Sequence, residues 1–474
     1  MMNKSARKSA ISRRKFLRSG ALASVVIGSG AGVSCTTAPT VVSRSKPKAK
    51  NIIFMVSDGM SSGTLSIADQ YVLWRDGKRS HWMQLYVDNL GQRSLMETAS
   101  ATSIVTDSAA ASSAWGCGQR VPNRSLNTDA DGNALEPIFV RAKAAGKSTG
   151  VAVTVPVTHA TPAGFGANNA SRHNQAEIAV QYLERQFDVL LGGGHNFFNA
   201  ESRDDDRDLY ADYRREGYAI VRNRAELENL SAARTKVLGT FAGASHPYEI
   251  DRLNDPARKE TVPSLAEMTR QALDRLSRNP EGFMLHVEGG RVDHAAHAND
   301  IGGLVFDQLA FDDAIAVARE FQERNPDTLL IVTTDHGNAN PGLLGGGNRG
   351  DNTFSRLSQF KGTLANLRLE EDFTYAEVQE RFLALTQLEV SREHAEMILG
   401  ALRGEYQVPF RRMNRPRNIL AQVVANHLDV SWIGDGHTSD HVEMFAMGPG
   451  SENLNAFIKN YEVFDFMNEA MGIA

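Results

Sequence analysis

Six short apolar runs constrain the fold of this chain more than any other feature. They are "NIIFMVSDG" (51–59), "TGVAVTV" (149–155), "FDVLLGGG" (187–194), "GFMLHVEGG" (282–290), "TLLIVTTDHG" (328–337) and "VEMFAMGPG" (442–450). Each is apolar at consecutive positions, so a strand made from it must be covered on both faces. Helical patterns lie between them, at 174–186, 264–278 and 301–324. Buried strands alternating with helices predict an α/β fold: a three-layer sandwich whose central, mostly parallel sheet is flanked by helices. The 474 residues allow up to about three domains, but α/β enzymes of this length often form one. The stretch 341–430 breaks the pattern. It opens on "PGLLGGGNRGDN", carries two amphipathic helix patterns, and reads as an inserted lid or crown-like segment. Acidic "ESRDDDRD" (201–208) reads as a solvated loop.

The N-terminus reads as an address. "SRRKFLRSG" places Arg13 and Arg14 before Phe16 and Leu17, the order of a twin-arginine export signal, and a Gly-rich apolar run too short to span a bilayer follows. Cys35 closes that run in "GVSC", a lipoprotein-like box with Gly where Leu is usual, and so offers a point for a lipid anchor. Residues 1–35 are thus a signal segment, 36–50 a polar flexible tether, and 51–474 the catalytic domain. Residues 1–50 hold 11 of the 51 Lys and Arg and no acid, so the remainder sets 40 bases against 56 acids, a net charge of −16. A body so acidic is unsuited to nucleic acid, and an anionic substrate would need local positive charge from metal ions or a few arginines. Cys117, the second of two cysteines, reads as a small apolar residue rather than a nucleophile.

The chemistry gathers where strands end. "VSDG" supplies Asp58, "VEGGRVDHAAH" supplies Glu288, Asp293, His294 and His297, and "TTDHG" supplies Asp335 and His336. A later "DGHTSDH" offers His437 and His441. Any one of these residues could simply cap a helix or satisfy a loop. That account does not explain why acids and histidines recur at one strand end after another, on the edge where open α/β sheets build their sites. Spacing of four puts Asp293 and His297 on one face of a helix. Carboxylate with imidazole suits zinc, and an all-oxygen set suits magnesium. In "TDSAAASSAWG", Ser108 precedes small residues that can begin a helix, where an anion is favoured.

Taken together, "NIIFMVSDGM", "VTDSAAA", "THATPAGFGAN" with "SRH", "DVLLGGG", "VEGGRVDHAAH", "TTDHG" and "GHTSDHV" resemble the alkaline phosphatases, metal-dependent phosphomonoesterases. The resemblance covers about 50–340 and 434–450. It implies hydrolysis of small phosphate monoesters through a phosphoserine, with two zinc ions and one magnesium ion, often in a homodimer. Ser108 would be the nucleophile, and Arg172 would hold two phosphate oxygens. Asp293, His297 and His437 would bind one zinc, which activates water; Asp335, His336 and Asp58 would bind the second, which lowers the Ser108 pKa. Asp58 would bridge to magnesium with Thr161 and Glu288. His159 and His294 would neighbour that third metal, where bacterial relatives carry Asp and Lys and animal forms His. Ser57 and Ser61 flank Asp58 where many relatives have Gly.

Two other readings share these residues. A phosphodiesterase of the same superfamily could use the same metals, although Arg172 and the third site favour a monoester. A non-catalytic metal- or phosphate-binding surface protein would keep the ligands but have no need of Ser108. A sulfatase is disfavoured, because Ala109–Ala110–Ala111–Ser112 follows Ser108 in place of its x-P-x-R. The export reading places the mature protein in the periplasm or cell envelope. Replacing Arg13–Arg14 by Lys–Lys should leave the protein in the cytoplasmic fraction, and Cys35→Ser should release any lipid-anchored form; cell fractionation checks both.

Overall fold

The computed structural model describes residues 48–345, 350–406 and 415–473. The export signal and Cys35 lie outside the described residues. The six apolar runs form strands: β1 (Asn51–Val56), β3 (Ser148–Pro156), β4 (Val189–Gly193), β7 (Phe283–Glu288), β8 (Thr328–Thr333) and β9 (Val442–Met447). Four more strands complete the sheet: β2 (Gln92–Glu97), β5 (Ala219–Val221), β6 (Val237–Thr240) and β10 (Phe457–Lys459). The sequence signal for these four is weak for physical reasons. β5, β6 and β10 are only three or four residues long, and β2 exposes alternate residues toward the edge.

The ten-stranded order is β10-β2-β9-β8-β1-β7-β3-β4-β6-β5. Every pairing is parallel except those of β9, which runs antiparallel to both β2 and β8. The sandwich is visible within β1 itself. Ile53 and Met55 enter one core with the helices Leu265–Leu276 and Ile301–Arg324. Ile52, Phe54 and Val56 enter the other, with Trp115, Phe139 and Phe165. Burial on both faces follows from the period of two along the strand. The three helical patterns appear as Gln175–Glu184, Leu265–Leu276 and Ile301–Arg324. The 201–208 stretch is exposed apart from Arg203, whose guanidinium donates to the carbonyls of Ala176 and Phe197.

The 341–430 segment contains the helices Gly350–Leu357, Tyr375–Thr386, Arg392–Leu402 and Pro416–Leu428. Leu357, Leu364, Phe382 and Ile398 continue the core on the Ile301–Arg324 side. At its base two short antiparallel pairs form a stem: Gly337–Asn338 against His437–Thr438, and Gly342–Leu343 against Val430–Ser431.

Two helices on the opposite layer bring the serine to the sheet edge, Ser108–Cys117 and Ala160–Gly166. They touch at Gly116 and Gly164. Ser112 Oγ donates to the carbonyls of Ser108 (2.7 Å) and Ala160 (3.1 Å), tying the two together. A methyl group at Gly164 would overlap Ser112, backbone included. Gly164→Ala should therefore lower stability by about 1–3 kcal/mol through overpacking. It should also reduce activity, because the helix bearing Ser108 must move; urea denaturation and an activity assay test this.

Candidate active site and metal centre

Each strand that ends at this edge hands over its chain to a sharp turn. After β1, Asp58 is fully buried and Gly59 turns at φ 68°. A side chain at Gly59 would meet Asp293, and its amide donates to Asp335 Oδ1 at 2.9 Å. After β7, Gly289 and Gly290 lead into the helix Arg291–Ala298, which carries Asp293 and His297 one turn apart. β8 runs directly into Asp335 and His336, and the stem brings His437 back beside them; the two imidazole rings stack at 3.7 Å.

Asp107 caps the Ser108 helix by accepting from the Ala110 amide at 3.1 Å. Ser108, only 2% exposed, lies with Oγ 3.3 Å from His336 Nε2. Arg172 reaches the same place: Nη1 donates to Asp107 Oδ2 (3.0 Å) and Nη2 lies 3.2 Å from His159 Nε2. Thr161 Oγ1 donates to Asp58 Oδ2 at 3.2 Å.

Among the described residues, three groups of side chains place their ligand atoms within 4.8 Å of one another: Asp293, His297 and His437; Asp58, Asp293 and His336; and Asp58, His159 and Glu288. Asp335 borders the second group, its Oδ2 3.1 Å from His336 Nε2. The third group puts His159 within reach as well as Thr161, with Nδ1 3.7 Å from Glu288 Oε1. His294 stands one step out: its ring lies 5.9 Å from that of His159 and its Nδ1 2.8 Å from Arg291 Nη1. His441 is exposed against Phe457 and takes no part. Cys117 sits at the far end of the serine helix with its thiol pushed up to about 11 by burial, unsuited to attack.

The first group fits a cation on its own geometry. His297 Nδ1 lies 2.8 Å from the Asp435 carbonyl and His437 Nδ1 2.9 Å from that of Thr106, so in the neutral rings each Nδ1 carries the proton. Both Nε2 atoms are then lone pairs, yet they face each other at 3.1 Å beside the Asp293 carboxylate. Acceptors so placed repel unless a positive ion lies among them. The other groups fit for a related reason. Asp58 Oδ1 and both Glu288 oxygens are buried with no hydrogen-bond partner among the described residues, which costs free energy unless an ion is bound.

The electrostatics agree. Burial, then the charges of Asp335, Asp293 and Glu288, hold Asp58 well above the carboxylate range. Burial and Asp335 push Glu288 up to about 8. Burial would also raise Asp293, but His297, His437 and His336 bring it well below its ordinary value. Burial lowers His159 and His294 to about 3 and His437 to about 4, leaving neutral imidazoles able to act as ligands.

Three supporting residues lay outside the sequence reading. Asp107 holds Arg172, Asn338 donates to Asp293 Oδ1 at 2.7 Å, and the Asp435 carbonyl orients His297. Asp107 and Asn338 stand within two residues of Ser108 and His336, but nothing in their spacing distinguishes them from loop polars. Asp435 works through its backbone, which side-chain identity does not reveal.

Buried ligand groups at the carboxyl edge of a parallel sheet, with a serine and an arginine facing them, define a metal-site hydrolase of the α/β class. The alkaline phosphatase family model matches residues 49–473, and the chain belongs to that family of phosphoric monoester hydrolases. Alkaline phosphatase 3 of Bacillus subtilis is 30% identical over 95% of both chains. Streptomycin-6-phosphate phosphatase of Streptomyces griseus is 32% identical over 65% of this chain and 78% of its own. The crystal structure of Thermus thermophilus alkaline phosphatase superposes with a TM-score of 0.84 at 36% identity, covering 90% of this chain and 92% of that one.

Chelation should destabilise the protein, and more so as pH rises. In the metal-free fold the Glu288 carboxyl titrates near 8 against an ordinary 4.5. A raised acid stabilises fully below its unfolded value and loses that stability as pH climbs through its folded one. Asp293 and Asp335 are held low and add no slope there. His159, His294 and His437 are neutral with or without metal, so they cancel in the comparison. The gap in Tm between metal-loaded and EDTA-dialysed protein should widen from pH 5 to pH 8; a constant gap would contradict the buried-carboxylate account.

Proposed function

We propose that the protein hydrolyses small phosphate monoesters through a phosphoserine on Ser108, at a centre for two zinc ions and one magnesium ion. The observation that carries this reading is Ser108 Oγ at a helix N-terminus, with Arg172 and the ligand groups around it. The first zinc would be held by Asp293, His297 and His437, and the second by Asp58, Asp335 and His336. The magnesium would be held by Asp58, Thr161 and Glu288, with His159 beside it. Bound there, divalent ions would polarise the phosphoryl oxygens, favour the serine alkoxide and offset charge on the leaving oxygen.

The chain's own residues supply the rest. Arg172 presents its fork to two phosphate oxygens, and Asp107 fixes the fork by holding Nη1. The serine oxygen attacks phosphorus in line, the ester P–O bond breaks, and the alcohol leaves with a proton. The amide end of the serine helix faces the phosphoryl charge, which an N-terminus stabilises. Water then attacks the same phosphorus from the opposite side, the Ser108–phosphorus bond breaks, and inorganic phosphate departs. His297 and His437 are kept in one tautomer throughout by the carbonyls of Asp435 and Thr106. Export by the twin-arginine route, in which a protein folds before it crosses, suits a site assembled from so many separate strand ends.

Ser108→Ala removes no metal ligand, so fold and metal content should persist while turnover of 4-nitrophenyl phosphate falls by roughly several powers of ten. Brief exposure of the wild type to labelled phosphate at low pH should tag a peptide containing Ser108. Label on another residue, or near-normal activity in fully metallated Ser108→Ala, would overturn the assignment. Faster turnover of the bis-ester than of the monoester would favour the phosphodiesterase alternative.

A further inference from the structure

Two adjoining clefts open beside the third ligand group, of about 440 and 420 Å³, with Asp251, Arg258 and Asn366 common to both. Arg291, Tyr248 and His246 line the first. Lys361, Arg368 and Arg381 line the second. The outer wall, from Lys361 to Arg368, belongs to the inserted segment.

The positive charge of this trough is only partly compensated: Arg258, Arg291, Lys361, Arg368 and Arg381 share its walls with Asp251 and Asp255. Arg291 lies flat over the Tyr248 ring, its Cζ 3.5 Å from the centroid. Its Nε is buried without a hydrogen-bond partner among the described residues. Among the described residues Arg291, Lys361 and Arg368 make no ion pair, whereas Arg258 is paired with Asp255 at 3.1 Å. Arg381 is engaged by the Leu367 carbonyl at 2.9 Å. The one buried acid in the wall, Asp251, accepts from the Thr363 amide (2.8 Å), Thr363 Oγ1 (2.9 Å) and Asn366 Nδ2 (2.7 Å). Three unpaired cations in one trough stand out on a body whose net charge is −16. They concentrate anions there.

Side-chain contacts link the inner end of the trough to the reaction centre. Arg172 lies 3.2 Å from His159, the His159 and His294 rings are 5.9 Å apart, and His294 lies 2.8 Å from Arg291. An unbroken row of nitrogen-bearing side chains thus joins the arginine beside Ser108 to the inner end of the trough.

We propose that this trough is a second anion subsite, so that the preferred substrates are phosphate monoesters whose alcohol part carries another phosphate or carboxylate. The proposal rests on the phosphomonoesterase reading above. While the ester phosphate occupies Arg172, the second anion meets the stacked guanidinium of Arg291, then Lys361 and Arg368. A stacked guanidinium is already oriented and loses little freedom on binding.

The test compares a hexose 6-phosphate with the hexose 1,6-bisphosphate, and 4-nitrophenyl phosphate with its 4-carboxyphenyl counterpart. In the wild type each second anion should raise kcat/KM by about tenfold, mostly through KM, and the advantage should shrink at high salt. Lys361 and Arg368 are exposed, so Lys361→Ala/Arg368→Ala should fold and turn over 4-nitrophenyl phosphate as before while losing most of the advantage. Lys361→Arg/Arg368→Lys should keep it. An advantage for the bisphosphate alone would assign the subsite to phosphate, and one for both pairs to anions generally. Equal kcat/KM within both pairs, or an advantage undiminished in the alanine variant, would overturn the subsite while leaving the phosphatase reading intact. No turnover of 4-nitrophenyl phosphate by the wild type would sink both.

Discussion

The mutual repulsion of buried acids is the constraint to which the rest of this structure answers. Asp58, Glu288 and Asp335 sit at the ends of neighbouring strands and Asp293 in the helix that follows one of them, all but cut off from water. Their charges raise one another's pKa values except where an imidazole intervenes. Such a cluster is tolerable only with protons or cations, and the geometry favours cations. With both Nδ1 atoms held by backbone carbonyls, the facing Nε2 atoms of His297 and His437 present their lone pairs to a shared cation beside Asp293. The site is therefore a place of stored electrostatic cost, which a bound cation would relieve.

Holding that cluster takes parts of the fold far apart in sequence. The Gly116–Gly164 contact seats the serine helix against the helix that carries Thr161. The stem of the inserted segment returns His437 to within stacking distance of His336. The end of that segment is fastened to the same loop. Arg415 and Arg417 both donate to Asp435, and Asn418 bonds Asn299, which in turn donates to the Gly434 carbonyl. The carbonyl of Asp435 orients His297, so the segment that widens the surface also secures two of the imidazoles. Outer hydrogen bonds of this kind fix ring orientation and tautomer at metal sites.

The serine and the arginine complete the arrangement in a way the metals alone would not. Asp107 serves both, capping the serine helix with Oδ1 and holding Arg172 with Oδ2. A single carboxylate thereby couples the position of the proposed nucleophile to that of the group that would grip the phosphate. On the far side of Arg172, the row through His159, His294 and Arg291 leads to the cationic trough, in which the inserted segment forms the outer wall.

Much of this was written in local sequence. Both-face apolar runs at 51–56, 283–288 and 328–333 pointed to central strands through their short length, their β-branched and aromatic residues and the Gly or polar residues that stop them. The acids and histidines just beyond them had to gather at one edge once those strands were parallel. Other features depended on contacts that no local pattern encodes. The reversal of β9 and the short strands β5, β6 and β10 are set by what lies beside them in the sheet, since three or four residues carry no period of their own. Residue type and spacing alone did not separate His437 from His441; the family resemblance singled out His437, and the pairing of His437–Thr438 with Gly337–Asn338 turns it inward and leaves His441 on the surface. The roles of Asp107, Asn338 and the Asp435 carbonyl emerged in the same way. Sequence determines which groups can act as ligands, but which lone pair faces which is decided by chain segments brought together across hundreds of residues.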